Sequence, residues 1–303
     1  MERIKGIFYA CLSAATFGMI PLFVNRAILD GVNNDTILVY RYTLAALLYG
    51  IFLLCRRVNL RIAGPELKEV VLAGVGGYGL TAFFLFLSYH YMPTGIATSV
   101  HYLYPVVVAI FMALFFRERL LLVVKVAIVL AITGVAFLSW SEGAIRWVGL
   151  MFVLLSTVTY GIYIVALNRP LLKAMNPNVL TFWVLALTAL FYLILAVSRG
   201  TLHWVGSPQF LFDMTMLGVL STVVSARLLV SAVKLIGSVS TSVLGTLEPI
   251  TAILIGILVF HESFRFLNFI GFCMVVTAVL VVIVYTNNVN RRKQPEHYKK
   301  EKS

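Results

Sequence analysis

Ten runs of mostly apolar residues, at 4–24, 36–54, 68–91, 93–116, 121–139, 147–167, 178–198, 210–233, 237–260 and 264–285, take up nearly the whole chain. No feature restricts its fold more. Each run has roughly the 17 to 25 residues that an α-helix needs to cross a bilayer. Inside hydrocarbon the backbone must satisfy its own hydrogen bonds, which a helix of that length does within itself. Polar or turn-forming residues separate the runs, as at Asp30-Gly31, Asn176-Pro177 and the stretch from Arg199 to Pro208. The composition agrees, with 61% hydrophobic and 12% charged residues, against about half and a quarter in soluble domains. A water-soluble fold is excluded.

The excess of basic residues reports topology. With the N-terminus taken as cytoplasmic, 18 of the 24 Lys and Arg fall on the cytoplasmic side, four on the other side, and Arg41 and Arg227 within spans. This asymmetry over short loops predicts an N-in, C-in protein with an even number of spans. It also argues against reading the charge of +12 as a nucleic-acid footprint. The first run follows a short basic start, but Pro21, Asn25 and Arg26 stand where a small-residue cleavage site is needed, so it is expected to remain as the first helix. The basic tail, 287–303, is expected to lie near anionic headgroups. Cys11, Cys55 and Cys273 lie in apolar stretches and suggest neither a disulfide framework nor a metal site.

The chain repeats itself. Gly6, Ser13, Thr16 and Gly18 recur 143 positions later as Gly149, Ser156, Thr159 and Gly161, and Asn25-Arg26 recurs as Asn168-Arg169. After the second span the offset becomes 144, so that Gly74 matches Gly218, Tyr104-Pro105 matches Glu248-Pro249, and Arg117-Glu118 matches His261-Glu262. Each copy holds five spans, an odd number, and the second must therefore be inverted relative to the first. The expected fold is an all-α integral membrane protein of ten transmembrane helices in two inverted five-helix repeats, 1–143 and 144–286. Such a pair has two nearly equivalent packings, the basis of alternating access in many carriers.

These motifs resemble the EamA-domain branch of the drug/metabolite transporter superfamily over residues 4–285. The resemblance rests on the Gly, Ser, Thr and Gly openings at 6–18 and 149–161, and on fourth helices bearing Tyr104-Pro105 with Glu118 and Glu248-Pro249 with Glu262. It implies a multi-pass inner-membrane metabolite carrier, often an exporter, with a central cavity between the halves. It names no substrate.

Glu248 is the most informative residue. It lies near the middle of the ninth span, where a carboxylate in hydrocarbon costs several kcal/mol, so it should face protein or water. Binding, proton coupling or helix packing can each account for it. Pro105 and Pro249 remove backbone donors and are expected to kink their helices, freeing carbonyls near residues 101 and 245. Thr241, Gly245 and Glu248 share a helix face, matched in the first half by Ala97, His101 and Tyr104. His101 is a proton donor, a substrate contact or a packing histidine. Arg41 and Arg227 either snorkel to headgroups or anchor an anionic group, with Arg227 a candidate partner of Glu248. Tyr78, Tyr160 and Tyr163 are candidate cavity aromatics. Glu118 and Glu262 are candidate gating or capping residues. No Walker, dinucleotide, zinc or nucleophile-elbow motif is present, so neither an enzyme, a metal nor a cofactor is expected. The predicted function is secondary transport of a small solute, an amino acid or related amphipathic compound, with protons as the candidate coupling ion. The alternatives are a drug or organic-cation exporter, an organic-anion or phosphate-ester exchanger, and a membrane interaction protein without turnover.

Overall fold

The computed structural model describes residues 2–88, 90, 91, 97, 100–117, 122–138, 147–260, 266, 267, 269–271, 273, 274, 276–278, 280 and 281. Among them the regular structure is helical. In chain order the helices are α1 (Glu2–Phe17), α2 (Ile20–Leu29), α3 (Asn34–Cys55), α4 (Gly64–Ala73), α5 (Leu80–Ser88), α6 (Tyr104–Phe116), α7 (Leu122–Leu138) and α8 (Trp147–Ala166). They continue as α9 (Pro170–Ala174), α10 (Pro177–Arg199), α11 (Pro208–Gly218), α12 (Ser225–Ile236), α13 (Ser238–Leu244) and α14 (Leu247–Phe260). Two π-helical turns, Gly74–Gly79 and Val219–Val224, join α4 to α5 and α11 to α12.

Six continuous helical stretches are long and apolar enough to cross a membrane: Glu2–Ile28, Asn34–Cys55, Gly64–Ser88, Trp147–Ala166, Pro177–Arg199 and Pro208–Ile236. Shorter apolar helices cover Tyr104–Phe116, Leu122–Gly134 and Phe269–Ala278. Large apolar side chains point outward, with Trp147 83%, Leu258 72% and Phe115 70% exposed, while Thr36, Ser156, Thr188, Thr222 and Ser225 are buried. This is inverted relative to a soluble protein, and it is the arrangement that lipid favours, since polar groups find partners only between helices. The chain is a multi-pass membrane protein.

Local sequence sets the ends. Asn33 caps α3, its side chain accepting from the Thr36 N–H at 2.8 Å. Pro177 opens α10, where its missing N–H costs nothing, and Gly200 closes it with φ +64°, a conformation only glycine enters freely.

Packing across the bundle is close. The helix α1 packs against α12, α3 against α10, and α5 against α8. Two hydrogen bonds stitch these contacts at matched positions: Ser13 Oγ donates to the Ser225 carbonyl at 2.8 Å, and Ser156 Oγ to the Thr81 carbonyl at 2.9 Å. The serines are 143 positions apart and their acceptors 144, the offsets of the sequence repeat. Gly18 lies against the backbone of Glu248 and against Thr251, as Gly161 lies against Val107 and Val108. The first π turn crosses α8 at Gly77, where a Cβ would sit 2.8 Å from Tyr163 Cβ and 3.0 Å from its Cα. Only glycine permits that approach.

The ends of the bundle follow from its contacts. Gly6 meets Ile236, Arg227 bonds Asn178, Lys234 bonds the Met175 carbonyl, and Trp183 Nε1 donates to the Leu60 carbonyl at 2.8 Å, which gathers residues 6, 60, 175–178 and 227–236 toward one end. Asn33 and Thr36 bond Thr201 at the other.

Candidate functional site

Two breaks place the central residues. Before α6 the chain turns at Tyr102-Leu103, and before α14 at Gly245-Thr246, in each case shortly ahead of Pro105 or Pro249. A proline ring clashes with the carbonyl four residues back, at His101 and Gly245, and forces the chain out of helical geometry there. The break was expected, but the free carbonyl at 245 was not found. The Gly245 carbonyl accepts the Glu248 N–H at 2.9 Å in a tightened turn. Gly245 itself sits under the Tyr104 hydroxyl, which occupies the space a Cβ would need.

Around these breaks the structure assembles an acidic pole. The Glu248 carboxylate is partly buried, takes a hydrogen bond from Tyr102, and lies close to Tyr104 and Tyr160. The Tyr104 and Tyr160 rings meet edge to face with centroids 4.7 Å apart, and His101 lies 5.8 and 5.5 Å from them. His101 is 8% exposed, and its Nδ1 lies 3.0 Å from Ser156 Oγ. Because the Ser156 hydroxyl spends its single proton on the Thr81 carbonyl, it accepts from His101, which puts a proton on Nδ1.

The basic pole is Arg41 on α3. It is 4% exposed, so it does not snorkel. Its Nε donates to Thr222 Oγ1 at 2.8 Å, and its guanidinium carbon stands 5.1 Å from the Tyr42 ring centroid. Thr222 is on the second π turn and Tyr78 on the first, 144 positions apart.

Aromatic rings connect the poles. From Tyr160 the path runs to Tyr163 at 6.3 Å, to Tyr78 at 5.1 Å, to Tyr42 at 5.9 Å and to the stacked Tyr192 at 5.2 Å. The Tyr163 hydroxyl is buried without a hydrogen-bond partner, and the Tyr78 hydroxyl faces that of Tyr42. Burying a hydroxyl unpaired costs about 1–3 kcal/mol. The positive charge of Arg41 is felt at the Glu248 carboxylate, yet the two are not joined, since the ion pairs among the described residues are Arg26–Asp213, Arg169–Glu69 and Arg199–Asp35. The Arg41 guanidinium and the Glu248 carboxyl group are thus held apart along an aromatic wall.

Of the sequence candidates, Glu248, His101, Tyr104, Tyr160 and Gly245 come together at the acidic pole, and Tyr163 and Tyr78 continue the ring path toward Arg41. Arg227 does not join them. Its Nε bonds Asn178 and its Nη1 bonds Ser231, beside Tyr49, and Arg41 is the guanidinium acting on Glu248. Glu118 and Glu262 lie outside the described residues. Sequence reasoning missed Tyr42, Tyr192 and Thr222 as parts of the site. The repeat carried a signal for Thr222, which is the counterpart of Tyr78. Tyr42 and Tyr192 had no such marker beyond being tyrosines in apolar spans.

Comparison with known proteins agrees with this architecture. A profile of the EamA-like transporter family matches residues 4–140 and matches again at 147–284. An uncharacterized transporter of Archaeoglobus fulgidus is 32% identical over 141 residues, 46% of this chain and 49% of that protein, so the alignment spans about half of each. A protein crystal structure with 18% sequence identity superimposes with a TM-score of 0.82 over 95% of this chain and 99% of the other, a likeness of fold. The family consists of transporters rather than enzymes. With two successive profile matches spanning nearly all of its helices, the chain belongs to the EamA-like transporter family.

Proposed function

We propose that this protein is a secondary carrier that moves a small zwitterionic metabolite, an amino acid or a close relative, across the inner membrane, in the export direction, by alternating exposure of the site between Arg41 and Glu248. The carrying observation is the pair of unjoined groups of opposite kind, the Arg41 guanidinium and the Glu248 carboxyl, set along a wall of tyrosines. An α-amino acid fits both poles at once. Its carboxylate takes the free edge of the Arg41 guanidinium, while its ammonium faces Glu248 and the rings of Tyr104 and Tyr160. The Tyr163 hydroxyl supplies a further bond, and the apolar ring faces receive the side chain.

The ten-span, N-in and C-in arrangement of two inverted halves belongs to the same reading. Its support is the matched pairing of Ser13 with Ser225 and Ser156 with Thr81, the matched helix breaks, and the two π turns. Protons are the proposed coupling ion. A solute cation and a proton both neutralise Glu248, so each can take the place of the other across the transport cycle.

Counterflow in liposomes tests the proposal, using labelled amino acids, organic cations and phosphorylated anions with and without a pH gradient. Selective, saturable exchange of amino acids is expected. The acidic pole, ringed by Tyr102, Tyr104 and Tyr160, also favours a second reading, an exporter of organic cations. Exchange of cations that persists in Arg41→Gln supports that reading instead. Glu248→Gln should abolish accumulation driven by the pH gradient, and unchanged accumulation refutes coupling through this residue.

A further inference from the structure

Among the described residues three ion pairs lie outside the central site, and two of them are related by the repeat. Arg26 and Arg169 are 143 positions apart, and their partners Asp213 and Glu69 are 144 apart. Arg26 Nη1 lies 3.4 Å from Asp213 Oδ1, and Arg169 Nη2 lies 2.6 Å from Glu69 Oε1. Each pair reaches the start of the third span of the other half, Arg26 from α2 near the end of the first helical stretch and Arg169 from just after α8. The two stand at opposite ends of the bundle: Arg169 precedes Asn178 at the end that holds Arg227, and Arg26 precedes Asn33 at the end that holds Thr201.

Each carboxylate is connected to the site through its own helix. Nine residues after Glu69 comes Tyr78, and nine after Asp213 comes Thr222, each on a π turn. Tyr78 forms part of the aromatic wall, and Thr222 holds the Arg41 guanidinium at 2.8 Å. A π turn contains one residue more than α geometry needs, and losing it rotates the helix on one side by about 100°, one residue's share of a 3.6-residue turn. Such turns occur at functional sites because they shift register at low cost.

We infer that Arg26–Asp213 and Arg169–Glu69 are a matched pair of latches, each closing one end of the transport path, released in alternation as solute engages Arg41 and Tyr78. The inference rests on the carrier reading and adds four residues that never touch solute. Both ion pairs are formed here. The carboxylates are the buried partners, with side chains 2% and 15% exposed, and the arginines are half exposed. Release therefore swings the arginine out to water, while Asp213 retains the Gln209 amide at 3.2 Å.

Sided thiol labelling tests this without any solute. Cys11, Cys55 and Cys273 are replaced by Ser, Thr246→Cys is introduced between α13 and α14 as a buried reporter, and the full chain is prepared in right-side-out and inside-out vesicles. A membrane-impermeant maleimide is applied to each. Asp213→Asn should speed labelling from the Arg26 end by about fivefold or more, the lower range of a typical coupling between sites, with no gain from the other end. Glu69→Gln should do the reverse. The charge exchange Arg26→Asp with Asp213→Arg should return labelling to the starting rate, and it carries the test if the single variant does not fold. Acceleration at the same end by both variants, or at neither, overturns the latches. If amino acid counterflow persists in that case, the carrier reading stands without them, whereas sided labelling without counterflow of any tested solute overturns the carrier reading alone.

Discussion

Gly18 holds the first helix against the backbone of the acidic pole, and replacing it by alanine gives a calculable result. An added Cβ would lie 2.5 Å from the Glu248 carbonyl oxygen and 2.6 Å from Thr251 Cβ. Ordinary contact begins at 3.4 Å, so the segments must separate by about 0.9 Å. Neither obstacle is the tip of a flexible side chain, and the strain cannot be relieved by a rotamer change. Overpacking of this kind costs about 1–3 kcal/mol, which for a domain of roughly this size lowers the melting temperature by about 2–10 °C. The helix-propensity gain of alanine over glycine, at most about 1 kcal/mol, offsets only part of it. Gly161 is the matched position, but there the Cβ meets Val107 Cγ1 at 2.7 Å, a side-chain methyl that can shift. Gly76 has nothing within 4 Å. The expected order of melting temperatures in detergent, read by the loss of the monodisperse chromatographic peak after heating, is Gly76→Ala highest, then Gly161→Ala, then Gly18→Ala. Because Glu248 is displaced directly, Gly18→Ala should also weaken solute binding. A Gly18→Ala protein that melts with the wild type and binds normally would refute the close approach of α1 to α14.

Arg41→Met keeps the stem and removes the charge, so amino acid binding should fall by at least tenfold, the loss of one charge-assisted pair, as measured by equilibrium dialysis; binding within twofold of wild type would remove Arg41 from the site. Ser13→Ala and Ser156→Ala each delete one buried interhelical hydrogen bond and should cost about 1 kcal/mol in stability. The second should lower transport more, because Ser156 also orients His101; equal effects of the two on flux would count against that role. Tyr192→Phe leaves the Gly79 carbonyl without its 2.6 Å donor at the end of the first π turn, and hydrogen exchange in residues 74–80 should quicken, whereas unchanged protection there would place the restraint elsewhere.

Much of the fold was legible in the chain because bilayer thickness is a fixed length. A helix that crosses it must run about 20 apolar residues, and six described helices do so within or around the expected runs. The duplication was legible as well, since Ser13, Gly18, Arg26 and their counterparts kept residue type at constant offset. The prolines announced both helix breaks, because a missing N–H and a ring clash act locally and need no tertiary context. The π turns were not foreseen. They depend on packing against α8 and α3, through Gly77 beside Tyr163 and Gly218 beside Arg41 and Ala45.

The sequence by itself determined the membrane environment, the long apolar helices and the short list of polar residues that lipid would not tolerate facing outward. Only the tertiary structure decided how those residues are shared out. Arg41 and Arg227 look alike in sequence, each a lone arginine in an apolar span, yet Arg41 is set beside Tyr42 and Thr222 within reach of Glu248, and Arg227 is occupied by Asn178 and Ser231. The physical reason is that hydropathy reports how deep a residue lies, whereas the direction it faces depends on helix rotation and crossing, which come from contacts between segments more than a hundred residues apart. The same holds for Glu69 and Asp213, unremarkable acids near span ends until Arg169 and Arg26 are seen to close on them from the opposite half.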